Sequence, residues 1–183
     1  VGVNHLEGHI YSNWLPPIES QKSFKNIFPA INLIVSGGHT ELVLMSTADR
    51  SASGGIPKIK YKIIGETLDD AAGEAFDKIA RLLELGYPGG PLISAEAEKF
   101  SEKEGFLGLT LPRPMTNSKN LNFSFSGLKT AVLYMVLDLV NYGWPLESIR
   151  SEIAHEAQQA IVDVLVSKTL RAVKKYGVKS VLL

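Results

Sequence analysis

The chain has 183 residues, 19 basic and 19 acidic, so its formal charge is zero and no whole-molecule field draws it to nucleic acid or an anionic membrane. It has no cysteine, which excludes disulfides and thiolate metal sites. No apolar run is long enough to span a bilayer and the start lacks a secretion signal, so the expected setting is cytoplasmic and soluble, with no membrane partner.

His5-Leu6-Glu7-Gly8-His9 opens a helix running towards Trp14 and stopped by Pro16-Pro17. Histidines four apart share a helical face, within reach of one metal ion. Two ligands are too few for a catalytic site, so the spacing alone leaves open both a metal site completed from elsewhere and an incidental exposed pair. In the zinc-protease signature the glutamate directly follows the first histidine. Here Glu7 stands midway between the two, about 200° around the helix from each, which argues against a protease using it.

Ile18 to Asn26 reads as a polar connection. Ile31 to Val35 and Glu41 to Met45 then read as strands joined by Ser36-Gly37-Gly38-His39-Thr40. Paired glycines permit positive φ in a hairpin, and without Cβ atoms they let a ligand lie on a nest of backbone N–H groups. A plain hairpin is the competing reading. Arg50 to Pro57 is a Ser/Gly-rich loop, and Lys58 to Glu66 supplies a third strand of an antiparallel meander, with Lys58, Lys60 and Lys62 on a solvated face.

Asp69 and Asp70 suit the N-terminus of a helix reaching about Leu85, with Phe76, Ile79, Leu82 and Leu83 as its buried stripe. Gly73 costs this helix roughly 1 kcal/mol relative to alanine, which implies a close backbone approach. Asp77 can bond a ligand hydroxyl or pair with Arg81, as Glu74 can with Lys78. Gly86-Tyr87-Pro88-Gly89-Gly90-Pro91 is a rigid turn able to present N–H groups to a sugar or simply to reverse the chain.

A helix from about Leu92 to Lys103 follows, then a loop with Pro112 and Pro114, and a short strand from Leu121 to Phe125. Ser126 is positioned to cap a helix carrying Leu128, Val132, Met135, Val136 and Leu139. Pro145 starts another, through Ile149, Ile153, Ile161, Leu165 and Val173 to Gly177. His155 in that helix reads as surface or core rather than ligand. Lys168, Arg171, Lys174, Lys175 and Lys179 read as a solvated basic face, with RNA contact as the alternative. Val178 to Leu183 reads as the start of a buried strand; since Val1 is not an initiator methionine, the expectation is a fragment of a longer protein. The element order gives an α/β class, mixed α and β.

Five motifs in this order resemble the TsaD family of tRNA threonylcarbamoyladenosine transferases, formerly O-sialoglycoprotein endopeptidases: His5 to His9, Ile34 to Thr40, Gly65 to Lys78, Tyr87 to Pro91 and Phe123 to Thr130. The resemblance implies an actin-like ATPase (ribonuclease H-like) fold, present in part: residues 1–30 as the end of the first lobe with the metal-binding helix, and 31–183 as most of the second lobe. It implies one divalent ion per subunit, iron (Fe2+) or zinc, held by His5 and His9 with a third ligand outside this chain. It implies substrate contacts at Ile34, Val35, Ser36, Gly37, Gly38, Asp77 and Gly90, threonylcarbamoyl-AMP and tRNA as substrates, and protein partners that are TsaB-like and TsaE-like in bacteria. It leaves the catalytic base unidentified. The family pattern also places a phosphate-contacting loop before Val1 and a glycine loop with the metal-completing aspartate after Leu183, so this piece alone is expected to be inactive. Competing expectations are a catalytically silent scaffold homologue, an ATPase or kinase of the same superfold, and the older metalloprotease reading.

Overall fold

A computed structural model describes residues 2, 4–13, 27–47, 59–101 and 107–183. The expected helix stop at Trp14 to Pro17, the connection from Ile18 to Asn26, the loop from Arg50 to Pro57, Lys58 and Lys103 lie outside the described residues. Helix α1 (His5–Ser12) precedes strands β1 (Ala30–Val35), β2 (Thr40–Thr47) and β3 (Ile59–Glu66). Helices α2 (Ala72–Leu82), α3 (Gly89–Ala97), α4 (Ser126–Asn141) and α5 (Leu146–Tyr176) follow, then β4 (Ser180–Leu182). The mixed α and β class is the one expected, and the sheet is mixed, in agreement with an actin-like fold.

The sheet order is β3-β2-β1-β4. The first three strands form the expected antiparallel meander, and β4 joins β1 in parallel through Ala30↔Ser180 to Asn32↔Leu182. Alternation divides β1 between two cores. Ile31 packs with α2 to α5 around Ile79, Phe123, Leu128 and Ile153, whereas Ala30 joins Val43, Met45 and Ile10 of α1. The sheet therefore has α1 on one side and the other four helices on the opposite side. Lys60 and Lys62 are exposed, as the alternation of β3 requires.

Several boundaries are set by contacts rather than local sequence. α2 starts at Ala72, not at Asp69, because Thr40 Oγ1 accepts the Ala72 N–H at 2.8 Å. Asp69 caps a different helix. Its carboxylate accepts from the N–H groups of Phe125 (2.8 Å) and Ser126 (3.2 Å) and from the hydroxyls of Ser124 (2.6 Å) and Ser126 (2.8 Å), so Asp69, not Ser126, satisfies the start of α4. Burial opposes ionisation of Asp69, but these donors outweigh it and hold the carboxyl below its ordinary range.

α3 starts at Gly89 rather than Leu92, because the Asp77 carboxylate accepts the Gly89 N–H at 2.7 Å. The expected strand at Leu121 to Phe125 is reduced to one parallel bridge, Thr67↔Phe123, although Leu121, Phe123 and Phe125 are buried as the alternation required. β4 pairs with β1 at the end of the sheet order, and from the C-terminal run Val178 and Leu182 pack against the two cores while Val181 is 48% exposed.

The 31-residue α5 ends at Gly177, whose φ of 57° and ψ of 41° are the left-handed values a glycine stop supplies. Its polar side chains anchor the irregular segment 107–120. Glu152 accepts the N–H groups of Leu107 and Leu109, Glu156 accepts that of Leu111, and Arg113 pairs with Glu156 and Asp163. Lys168 and Arg171 correct the reading of a solvated basic face. Lys168 is fully buried and donates to Ser118 Oγ (2.6 Å) and the Asn120 carbonyl (3.0 Å), while Arg171 donates to the carbonyls of Ser118 (2.6 Å) and Thr116 (2.8 Å). Lys174, Lys175 and Lys179 remain exposed. Among the described residues, no helix is long and apolar enough to cross a membrane.

Candidate functional site

Helix α1 is started by Asn4, whose side-chain oxygen accepts from the N–H groups of Leu6 (2.9 Å) and Glu7 (3.3 Å). Ile10, 4% exposed, seats the helix against the sheet. Burying such a side chain contributes about 2 kcal/mol, enough to orient a short helix. The histidines are left on an exposed face. Their rings stand 4.6 Å apart and the two Nε2 atoms approach to 2.7 Å.

A tetrahedral zinc ion with Zn–N bonds of 2.0–2.1 Å would hold two imidazole nitrogens about 3.3 Å apart, so a small opening of the pair accommodates one ion. The donor set therefore fits a metal as two of its ligands. Among the described residues no three His, Asp or Glu side chains come together, so a third ligand is not supplied there. Glu7 is turned elsewhere. Its charge acts on Tyr61, whose hydroxyl donates to Tyr11 Oη at 2.6 Å and is pushed well above its ordinary pKa, first by burial, then by Tyr11 and Glu7.

The hairpin corner is closed by Ser36 N–H donating to the His39 carbonyl at 2.8 Å. Gly37 and Gly38 do not adopt positive φ, contrary to expectation, and a Cβ on either would meet open space. The tight position is across the contact. A Cβ on Gly73 would come within 2.6 Å of the Ser36 carbonyl oxygen and 2.8 Å of Gly37 Cα, and the Gly73 N–H donates to that carbonyl at 3.2 Å. The close approach inferred for Gly73 is thus α2 resting its first turn on the hairpin. The N–H groups expected to face a ligand are partly engaged: Gly38 and His39 donate to Ser36 Oγ at 3.3 and 3.0 Å.

A cavity of about 370 Å³ opens between α1 and β1. Its wall includes His5, His9, Ile34, Val35 and Ser36, which brings the imidazole pair and the start of the glycine corner to one space. Gly37, Gly38, Asp77 and Gly90 are not in that wall. Asp77 and Gly90 meet instead at the corner of α2 and α3, where Asp77 holds the Gly89 N–H and a Cβ on Gly90 would point into open space. Among the described residues Asp77 forms no ion pair with Arg81, whereas Lys78 pairs with both Glu74 (2.9 Å) and Asp70 (2.7 Å).

Two further residues of the wall are Asn32, which sequence did not single out, and His39, which it placed in the hairpin turn without a site role. Asn32 carried a signal: it is the one polar residue in the run Ala-Ile-Asn-Leu-Ile-Val of β1.

Comparison with known proteins establishes the family. A family model described as TsaD: tRNA N6-adenosine threonylcarbamoyltransferase matches residues 1–183. Proteins of that name from Bordetella pertussis (45% identical over 180 residues, 98% of this chain and 46% of the relative), Thermosipho africanus (43% over 185 residues, 100% and 48%) and Bacillus subtilis (45% over 183 residues, 100% and 46%) are similar throughout. The chain spans about half the length of these relatives. With a matching family model along its whole length and relatives this similar, the chain belongs to the TsaD family.

Proposed function

We propose that the protein carrying this chain transfers the threonylcarbamoyl group from threonylcarbamoyl-AMP to N6 of the adenosine adjacent to the tRNA anticodon. The observation that carries this reading is that one cavity is bordered both by the His5–His9 pair and by Ile34, Val35 and Ser36. It offers convergent imidazoles beside the strand end that leads into the glycine corner, which suits an acyl group joined to a phosphate.

In the reaction the N6 amino group attacks the carbamoyl carbon, a C–N bond forms, the C–O bond to the phosphate breaks, and AMP leaves with that electron pair while N6 loses a proton. His5 and His9 would hold an iron or zinc ion that supplies Lewis-acid polarisation when bound. The Gly37 N–H orients the adenylate, and rotation of the Ser36 hydroxyl releases the N–H groups of Gly38 and His39 for the phosphate, while the Ser36 N–H stays on the His39 carbonyl and keeps the corner closed. Asp77 holds Gly89 through Oδ1, leaving Oδ2 to accept a ribose hydroxyl near Gly90. Transfer of this kind needs tRNA, and TsaB-like and TsaE-like proteins are the proposed partners.

The test uses full-length protein with both His5 and His9 replaced by alanine. Metal content by elemental analysis is expected to fall to background, and threonylcarbamoyladenosine in tRNA, measured by mass spectrometry, to be lost while the fold persists. Full modification by the double variant would remove these residues from the mechanism. Absence of transfer by the wild-type protein with its partners would overturn the function itself.

A further inference from the structure

We propose that Asn32 is a specificity residue of the cavity and pairs its carboxamide with the planar N–H/C=O unit of a carbamoyl group. The inference rests on the reading of the cavity given above and adds a residue to it. Asn32 is 2% exposed, and neither Nδ2 nor Oδ1 has a hydrogen-bond partner among the described residues. Two unmet polar atoms in a buried side chain are costly, and native structures keep few of them.

The strand pleat fixes which way the residue faces. Ile31 and Leu33 pack into the core beneath α2 to α5, whereas Ala30 and Ile34 pack on the side of α1. Asn32 shares the face of Ala30 and Ile34 and stands in the wall of the space that His5 and His9 border. A carboxamide presents one acceptor and one donor side by side. Its complement is a group that presents a donor and an acceptor in the same way. The carbamoyl unit does so, and so does the N6–H/N7 edge of adenine, whereas phosphate and ribose do not; AMP carries the adenine edge without the carbamoyl unit and so separates the two.

Isothermal titration of full-length protein tests this with Asn32→Leu, which keeps the approximate shape and removes both polar atoms, and with Asn32→Ala should leucine not be accommodated. Threonylcarbamoyl-adenylate is expected to bind the variants about ten- to a hundredfold more weakly, the worth of two neutral hydrogen bonds, while AMP changes less than twofold. Without ligand, Asn32→Leu is expected to raise Tm by about 2–6 °C, because it removes buried unpaired atoms. Glycylcarbamoyl-adenylate, which lacks the threonine hydroxyl, should show the same sensitivity to Asn32; loss of that sensitivity would mean that the hydroxyl is read instead and would overturn the proposal. Unchanged affinity for threonylcarbamoyl-adenylate, or equal weakening of AMP, would overturn it while leaving the proposed function standing. Failure of the wild-type protein to bind threonylcarbamoyl-adenylate would sink both.

Discussion

Replacing Gly73 by alanine sets two effects of opposite sign against each other. Gly73 is the second residue of α2, and alanine in a helix is favoured over glycine by about 1 kcal/mol. The new Cβ, however, would stand 2.6 Å from the Ser36 carbonyl oxygen, 2.8 Å from Gly37 Cα and 2.9 Å from Gly37 N. All three are backbone atoms of the hairpin corner, so no side-chain rotation relieves the contact. Overpacking of this kind costs about 1–3 kcal/mol, and the Gly73 N–H bond to Ser36 would be strained as the helix backs away. The net expectation is destabilisation by about 1–2 kcal/mol, a fall in Tm of about 2–8 °C in a domain of this size. Gly8→Ala in α1 is the internal control. A Cβ there meets nothing within 4 Å, so only the propensity gain of about 0.5–1 kcal/mol remains and Tm should rise. Calorimetric unfolding of both variants gives the comparison. If Gly73→Ala stabilises the protein as Gly8→Ala does, the packing of α2 on the hairpin is not what demands glycine.

Two further predictions concern pH. The Asp69 carboxyl is held below its ordinary range, so its contribution is fully present above the unfolded value of about 4 and is lost as pH falls through the lower folded value; urea titrations should show wild-type stability dropping in that acid window and Asp69→Ala, about 1–2 kcal/mol less stable at neutral pH, showing a flatter profile there. Lys168 is lowered to about 8, first by burial and then by the charge of Arg171, against about 10.4 unfolded. Between those values the unfolded chain binds more protons, so the wild-type protein should gain stability relative to Lys168→Met as pH rises from about 8 to about 10.4. Parallel stability curves for the two proteins across that interval would show that the buried ammonium carries no such penalty.

Much of the fold was legible because its signals are local. Strand alternation in β1 and β2 and helical periodicity in α4 and α5 report which face is buried, and Gly177 ends α5 because only a residue tolerant of the left-handed region closes it without strain. Five motifs in fixed order carried the family, since motif order is a property of the chain. What sequence could not assign was the recipient of each polar side chain. Asp69 lies beside the start of one helix yet caps another 56 residues away, and Lys168 looks solvated by periodicity yet serves Ser118.

The sequence by itself determined the elements, their class and the family, because burial of one face and the backbone limits of glycine and proline act between near neighbours. Only the tertiary structure decided that His5 and His9 share a cavity with the corner after Val35, and that Asn32 lies in its wall without a hydrogen-bond partner among the described residues. The physical reason is that a cavity is bounded by elements packed on one sheet face. Which face α1 covers is settled by the joint burial of Ile10, Ala30, Val43 and Met45, a long-range hydrophobic choice that no short window of residues contains.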